Sequence, residues 1–253
     1  MKKPKIKQHI PSLFTLTNMF FGFLAILNIQ NGRYDFACYL ILAAGVFDSI
    51  DGKLARLFGI STNFGIEIDS LADMISFCLA PSVLIYTLYS QGLPGISGEL
   101  IASTPLIMGA IRLARFNIAQ SDSPSGHFIG LPTPATAVAI TSIVLFTEHI
   151  KLDNPEYTEP RLLLPIILGI TFLGVSKIRY AKFPQLSLKA GFKNNLSIFG
   201  ISIFGITFIT GILLEFHHWV LMGSISCYVL SGIVIRLIKP TVVEISDFTV
   251  NSK

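Results

Sequence analysis

Charge is what this sequence lacks. Only 13% of its 253 residues are Asp, Glu, Lys or Arg, about half the share found in an ordinary soluble chain. With 51% hydrophobic residues, the composition excludes a water-soluble globular domain and indicates an integral membrane protein. Cysteine is scarce too: Cys38, Cys78 and Cys227 are scattered and form no CxxC pair. That excludes a disulfide framework and a thiolate metal site, and leaves the three as small packing residues. Low-complexity linkers and internal repeats are absent, so residues 1–253 are read as one domain. No signal-peptide pattern opens the chain, because the basic Met1 to Lys7 runs into a full apolar stretch without a small-residue cleavage site.

What is abundant is long apolar runs, each near the roughly 20 residues that cross a hydrocarbon core as a helix. Eight are counted: Leu13 to Ile29, Asp35 to Ala55, Ile66 to Tyr89, Leu100 to Phe116, Pro132 to Ile150, Leu162 to Val175, Leu196 to Leu214 and Trp219 to Ile238. The fold expected is therefore all-α, a polytopic membrane helix bundle. Lys and Arg orient it: with eight crossings and both termini cytoplasmic, 16 of the 19 basic residues fall on the cytoplasmic side. Only Arg33, Lys151 and Arg161 fall on the other. The net charge of +4 then belongs to a face suited to anionic lipid and gives no reason to invoke nucleic acid.

Polar segments punctuate the bundle. Residues 1–12 form a possible interfacial segment, with Pro11 marking its end. Asn117 to Pro134 is a Ser-, Gly- and Pro-containing loop in which His127 reads as a solvated side chain. Ser176 to Asn195 is basic, and is either an ordinary cytoplasmic loop or a segment lying on the membrane surface. Tyr86, Tyr89 and Trp219, near span ends, read as interface anchors.

Charge gathers where it costs most. The stretch DSIDGKLARLFGISTNFGIEIDSLAD, Asp48 to Asp73, carries four aspartates between two apolar runs. An ionised side chain at membrane depth costs several kcal/mol or so unless paired, wetted or metal-bound. At 3.6 residues per turn, Asp48, Asp51 and Ala55 share one helix face, and Gly65, Asp69 and Asp73 share one on the next helix. A short polar turn between them brings the two faces together, so four carboxylates converge. They repel unless cations neutralise them, and hard divalent ions with oxygen ligands suit the set, Mg²⁺ or Mn²⁺ rather than Zn²⁺. Gly52, Ala55 and Gly65 leave the helix faces without bulk, and Arg56 can fork onto a phosphate oxygen. Two metal ions, an arginine and a cleared floor describe a pyrophosphate site at the membrane surface. Helix-end ion pairs of Asp48 and Asp51 with Lys53 and Arg56 are the plainer reading of the first pair alone.

The spacing D-x2-D-G-x2-A-R-x8-G-x3-D-x3-D, met by Asp48, Asp51, Gly52, Ala55, Arg56, Gly65, Asp69 and Asp73, resembles the signature of the CDP-alcohol phosphotransferases. The resemblance implies transfer of a phosphatidyl or similar group from a CDP-linked lipid to an alcohol, with release of CMP. It also implies metal ligation by the four aspartates, with Asp73 as general base on the acceptor hydroxyl, and a homodimer. PSLFTLTN (Pro11 to Asn18), RLARFN (Arg112 to Asn117) and FIGLPTPA (Phe128 to Ala135) resemble the membrane-embedded, serine-using branch of that family. CDP-diacylglycerol and L-serine are then the expected substrates, at the cytoplasmic side of the cell membrane. The resemblance covers the first five spans.

Outside the motif the residues leave choices open. Arg112 and Arg115, one helical turn apart, are either charge anchors or partners for an acceptor carboxylate or lipid phosphate, with Asn117 adding a hydrogen bond. Thr15 and Asn18 either reach the CDP-lipid nucleotide or hold helices together. Glycerol 3-phosphate or inositol phosphate would also welcome arginine, and clustered intramembrane carboxylates also occur in cation transporters.

Overall fold

The computed structural model describes residues 6–58, 62–119, 127–154, 156, 160–181, 207, 210–211 and 216–238. Its helices are α1 (Ile6–Gln30), α2 (Tyr34–Phe58), α3 (Asn63–Ser90), α4 (Ser97–Ala102), α5 (Thr104–Ala119), α6 (Thr133–Asp153), α7 (Leu164–Val175) and α8 (His217–Ile238). A 3₁₀ turn, Pro160–Leu163, leads into α7. Two strands, β1 (His127–Ile129) and β2 (Arg179–Ala181), pair antiparallel.

Among the described residues, four helices are long and apolar enough to cross a membrane, α1 from Leu13 onward, α3, α6 and α8, and Arg161–Val175 is a shorter apolar helix. The protein is thus mostly helical, with membrane character. The seventh expected span, Leu196 to Leu214, lies outside the described residues apart from positions 207, 210 and 211, and so do both termini.

Several expectations are corrected by the backbone. Pro11 does not end a helix: α1 runs through it from Ile6 to Gln30. Only about one turn precedes the proline, so its missing N–H costs the long apolar helix a single hydrogen bond near one end. The expected fourth span is broken at Ser103. There Ser103 Oγ donates to the Leu100 carbonyl at 2.9 Å and Thr104 Oγ1 to the Ile101 carbonyl at 2.7 Å. These side-chain bonds compete with the helical ladder, and Pro105 behind them has no N–H to restore it. Tyr89 is no interface anchor but is buried at 2% exposure, its hydroxyl 3.0 Å from Thr147 Oγ1 on α6. Cys38 and Cys78 are buried as expected, whereas Cys227 is exposed. The bundle is not purely helical either, because β1 pairs with β2 through His127 with Ala181, Phe128 with Tyr180 and Ile129 with Arg179.

The core sits between α1, α2, α3 and α6, where Ala25, Ile29, Ile41, Ala44, Leu84, Ile85, Ile140 and Val144 are all buried. α1 packs along α2 and also touches the first half of α3, so it lies where it can reach both motif helices. A Cβ on Gly22 would run into Ser76, so glycine is what lets α1 and α3 approach. A smaller cluster forms around Leu131, Tyr180 and Val229. There Gly130, at φ +75°, sits so close to the Gly174 backbone that a side chain has no room. Its N–H donates to the Ile178 carbonyl at 2.8 Å, which ties the segment before α6 to that after α7.

Candidate active site

The motif occupies the end of α2 and the start of α3. α2 continues to Phe58, and α3 starts on a cap: Thr62 has extended backbone and its Oγ1 accepts from the Gly65 N–H at 3.0 Å. Gly65 therefore sits in the first turn of α3, with its amide committed to the cap. Gly52 faces open space, with nothing within 4 Å of where a Cβ would lie, so packing does not account for its missing side chain. Ala55 and Arg56 lie on the described backbone of α2, but their side chains fall outside the described residues.

Asp48 and Asp51 from α2 and Asp69 from α3 each offer a carboxylate oxygen, and these oxygens lie within 4.8 Å of one another. Asp51 is 4% exposed. Carboxylates this close oppose one another, and an oxygen-loving cation removes that cost. Two acceptors point the same way: Asp69 Oδ1 and Asn18 Oδ1 are buried and have no hydrogen-bond partner among the described residues. Buried acceptors left bare are rare in proteins, and a bound ion is one of the usual reasons. The residues present therefore fit a divalent metal.

Asp73 stands outside that group of three. It is 8% exposed, and Asn18 Nδ2 donates to its Oδ1 at 3.5 Å. Ser76 Oγ in turn donates to the Asn18 carbonyl at 2.8 Å, and Thr15 Oγ1 donates to Asp51 Oδ2 at 2.8 Å. Both residues reach from α1 onto motif carboxylates, Thr15 onto Asp51 and Asn18 onto Asp73.

The two arginines of α5 part company. Arg112 is turned into the protein, its Nη1 donating to Thr133 Oγ1 at 3.4 Å, while its Nε is buried without a partner among the described residues. It lines a small cavity with Cys78, Gly109, Thr136 and Gly174, and lies within electrostatic range of Asp73. Arg115 is exposed and donates from Nη1 to the Val175 carbonyl at 3.5 Å, at the end of α7. Asn117 Nδ2 donates to Ser70 Oγ at 3.0 Å, one residue beyond Asp69 in the chain.

A model of the CDP-alcohol phosphatidyltransferase family matches residues 8–175. The chain belongs to that family. The match runs from the first turn of α1 to the end of α7 and takes in every motif residue. Among curated relatives, a CDP-diacylglycerol–serine O-phosphatidyltransferase of Helicobacter pylori is 38% identical over 191 residues, 75% of this chain and 76% of the relative. The enzyme of that name from Bacillus subtilis is 35% identical over 177 residues, 70% of this chain and 92% of the relative. An archaetidylserine synthase of Methanothermobacter thermautotrophicus is 34% identical over 177 residues, 68% of this chain and 70% of the relative.

Some contributors to the site escaped sequence reasoning. Ser76 holds Asn18, and its signal was available, since it stands three residues after Asp73 and extends the same helix face. Thr62 had the cap signature of a threonine just ahead of an apolar helix. Thr133 stands in the FIGLPTPA stretch, but its pairing with Arg112 left no signal, because the two meet only through the packing of α5 against α6.

Proposed function

We propose that the protein is a phosphatidylserine synthase that transfers the phosphatidyl group of CDP-diacylglycerol to the hydroxyl of L-serine and releases CMP. The observation that carries this reading is the meeting of Asp48, Asp51 and Asp69 beside a fourth, separately held Asp73. Family membership and the names of the relatives support it, and favour the transferase over an ion-transport role.

Asp48, Asp51 and Asp69, with Asp73 at their edge, would hold Mg²⁺ or Mn²⁺, as two ions. Bound there, the metal supplies charge neutralisation for the reacting phosphate and the departing CMP. The chain's own groups do the rest. Gly52, Ala55 and Gly65 leave room for the CDP headgroup, and Arg56 pairs with its pyrophosphate. Thr15 fixes Asp51, and Asn18 fixes Asp73. Arg112 binds the serine carboxylate within reach of Asp73, while Arg115 and Asn117 brace α5 against α7 and α3.

Asp73 accepts the proton of the serine hydroxyl as that oxygen attacks the phosphorus next to diacylglycerol. The bond from that phosphorus to the oxygen bridging to CMP breaks, and CMP leaves with the electron pair. The step needs no covalent enzyme intermediate. We place the site at the cytoplasmic face of the cell membrane, in a homodimer, where a lipid and a soluble amino acid both arrive.

The test is CMP release by the purified protein given CDP-diacylglycerol, Mg²⁺ or Mn²⁺, and one alcohol at a time. Serine is expected to support turnover. Turnover only with glycerol 3-phosphate or an inositol phosphate would overturn the acceptor assignment. An ether-linked CDP-lipid run in parallel tells whether the tails matter, as the archaetidylserine synthase among the relatives makes worth asking.

A further inference from the structure

Three of the chain's five histidines meet far from the carboxylate motif. His149 comes from the last turns of α6, and His217 and His218 open α8. The His149 and His218 rings lie against each other, with centroids 3.7 Å apart and planes 32° from parallel. His217 is 5.6 Å from His218 by centroid. Asp153, four residues after His149 on the same face of α6, brings Oδ2 to 3.6 Å from His149 Nε2. Phe146 and Trp219, packed edge to face, wall the group on one side.

Two ring nitrogens here are buried and bare. His218 is 3% exposed and its Nε2 has no partner among the described residues, nor has His217 Nδ1. Stacking alone leaves those lone pairs or protons unsatisfied, and a buried polar atom left so signals a missing occupant. His217 already has the arrangement of a metal-binding histidine, with its outer nitrogen Nε2 hydrogen-bonded at 2.5 Å to the Tyr39 hydroxyl of α2. When that nitrogen is the donor, Nδ1 carries the free lone pair.

We infer that His149, His218 and Asp153, with His217 beside them, form a second cation site, built for a borderline transition ion such as Zn²⁺. Imidazole nitrogens with one carboxylate suit zinc and its neighbours and discriminate against Mg²⁺, the reverse of the all-oxygen motif. Among the described residues only the aspartate cluster gathers three donor groups within 4.8 Å. The histidine donors do not converge to that degree, so a shared ion requires the two stacked rings to turn edge-on. The ion links the end of α6 to the start of α8, a helix that lies beyond the residues matched by the family model.

The test uses the full chain, free of any histidine tag, stripped with a chelator and titrated with Zn²⁺ against a chromophoric zinc indicator in excess Mg²⁺. One zinc per chain is expected, with a higher Tm, and His149→Ala and His218→Ala should each weaken binding at least tenfold. Asp153→Asn should weaken it less, and provides a milder change should His218→Ala fail to fold. His9→Ala, His127→Ala and Asp69→Asn should bind zinc as the parent does. Absence of stoichiometric zinc in excess Mg²⁺, or parental affinity in both histidine variants, overturns the site. Loss of zinc in Asp69→Asn alone would also overturn it, by assigning the ion to the carboxylate motif.

Discussion

α2 carries two polar centres, one toward each end. Near its start Tyr39 meets His217, and near its finish Asp48 and Asp51 meet Asp69. Twelve residues separate Tyr39 from Asp51, about 18 Å along a helix. The centres differ in the atoms they offer. One is a set of carboxylate oxygens from two helices adjacent in sequence, braced by α1. The other is a set of ring nitrogens whose helices come from distant parts of the chain, braced by a tyrosine. Helices close together in sequence can be read together as a motif, whereas α6 and α8 reveal their meeting only once folded.

The largest way to break this comparison is Asp73→Asn. It removes the proposed base while keeping the Asn18 contact possible, and serine-dependent CMP release should fall by on the order of 10²–10⁴. Zinc binding at the histidine cluster should be unmoved. Next comes the split between the arginines. Arg112→Ala should raise KM for serine roughly tenfold or more, the effect of losing a charge-assisted hydrogen bond, while Arg115→Ala should change it by less. Equal effects would mean that burial of Arg112 does not mark the acceptor side.

Thr15→Val deletes one neutral donor to Asp51, worth about 1 kcal/mol, and turnover should drop about fivefold, with part of the loss recovered at higher Mg²⁺. The smallest effect belongs to the other centre. His149→Ala should leave CMP release within about twofold, since a half-exposed residue remote from the chemistry perturbs stability little. A large loss of turnover in that variant would show the two centres to be coupled.

The motif could be read from the chain because it obeys helical period: Asp48 with Asp51 and Asp69 with Asp73 each recur within one turn, and apolar runs on either side fix the helices. The π-type turns within α3, the break at Ser103 and the β1–β2 pairing could not. Each arises where side-chain hydroxyls, proline or tertiary contact override an apolar pattern that alone says helix. The separation of Asp73 from the other three carboxylates was equally hidden, since spacing places it on the shared face and only Asn18 and Ser76 on the packed helices set it apart. Tyr180 is a related case. It lies in a basic segment that reads as a loop, yet it is 1% exposed against Gly232 of α8. Burial, reinforced by Tyr228, pushes its phenol up to about 12, so it stays uncharged.

The π-type segments of α3, Met74–Leu79 and Tyr86–Ser90, act as phase shifters. Each places an extra residue in a turn, and one residue corresponds to about 100° of rotation around the axis. One continuous rod can thereby aim Asp69 and Asp73 at the carboxylate site and still deliver Tyr89 to Thr147 on α6. Shorten α3 by a single residue between the two, and the reacting end and the packed end can no longer both face their partners.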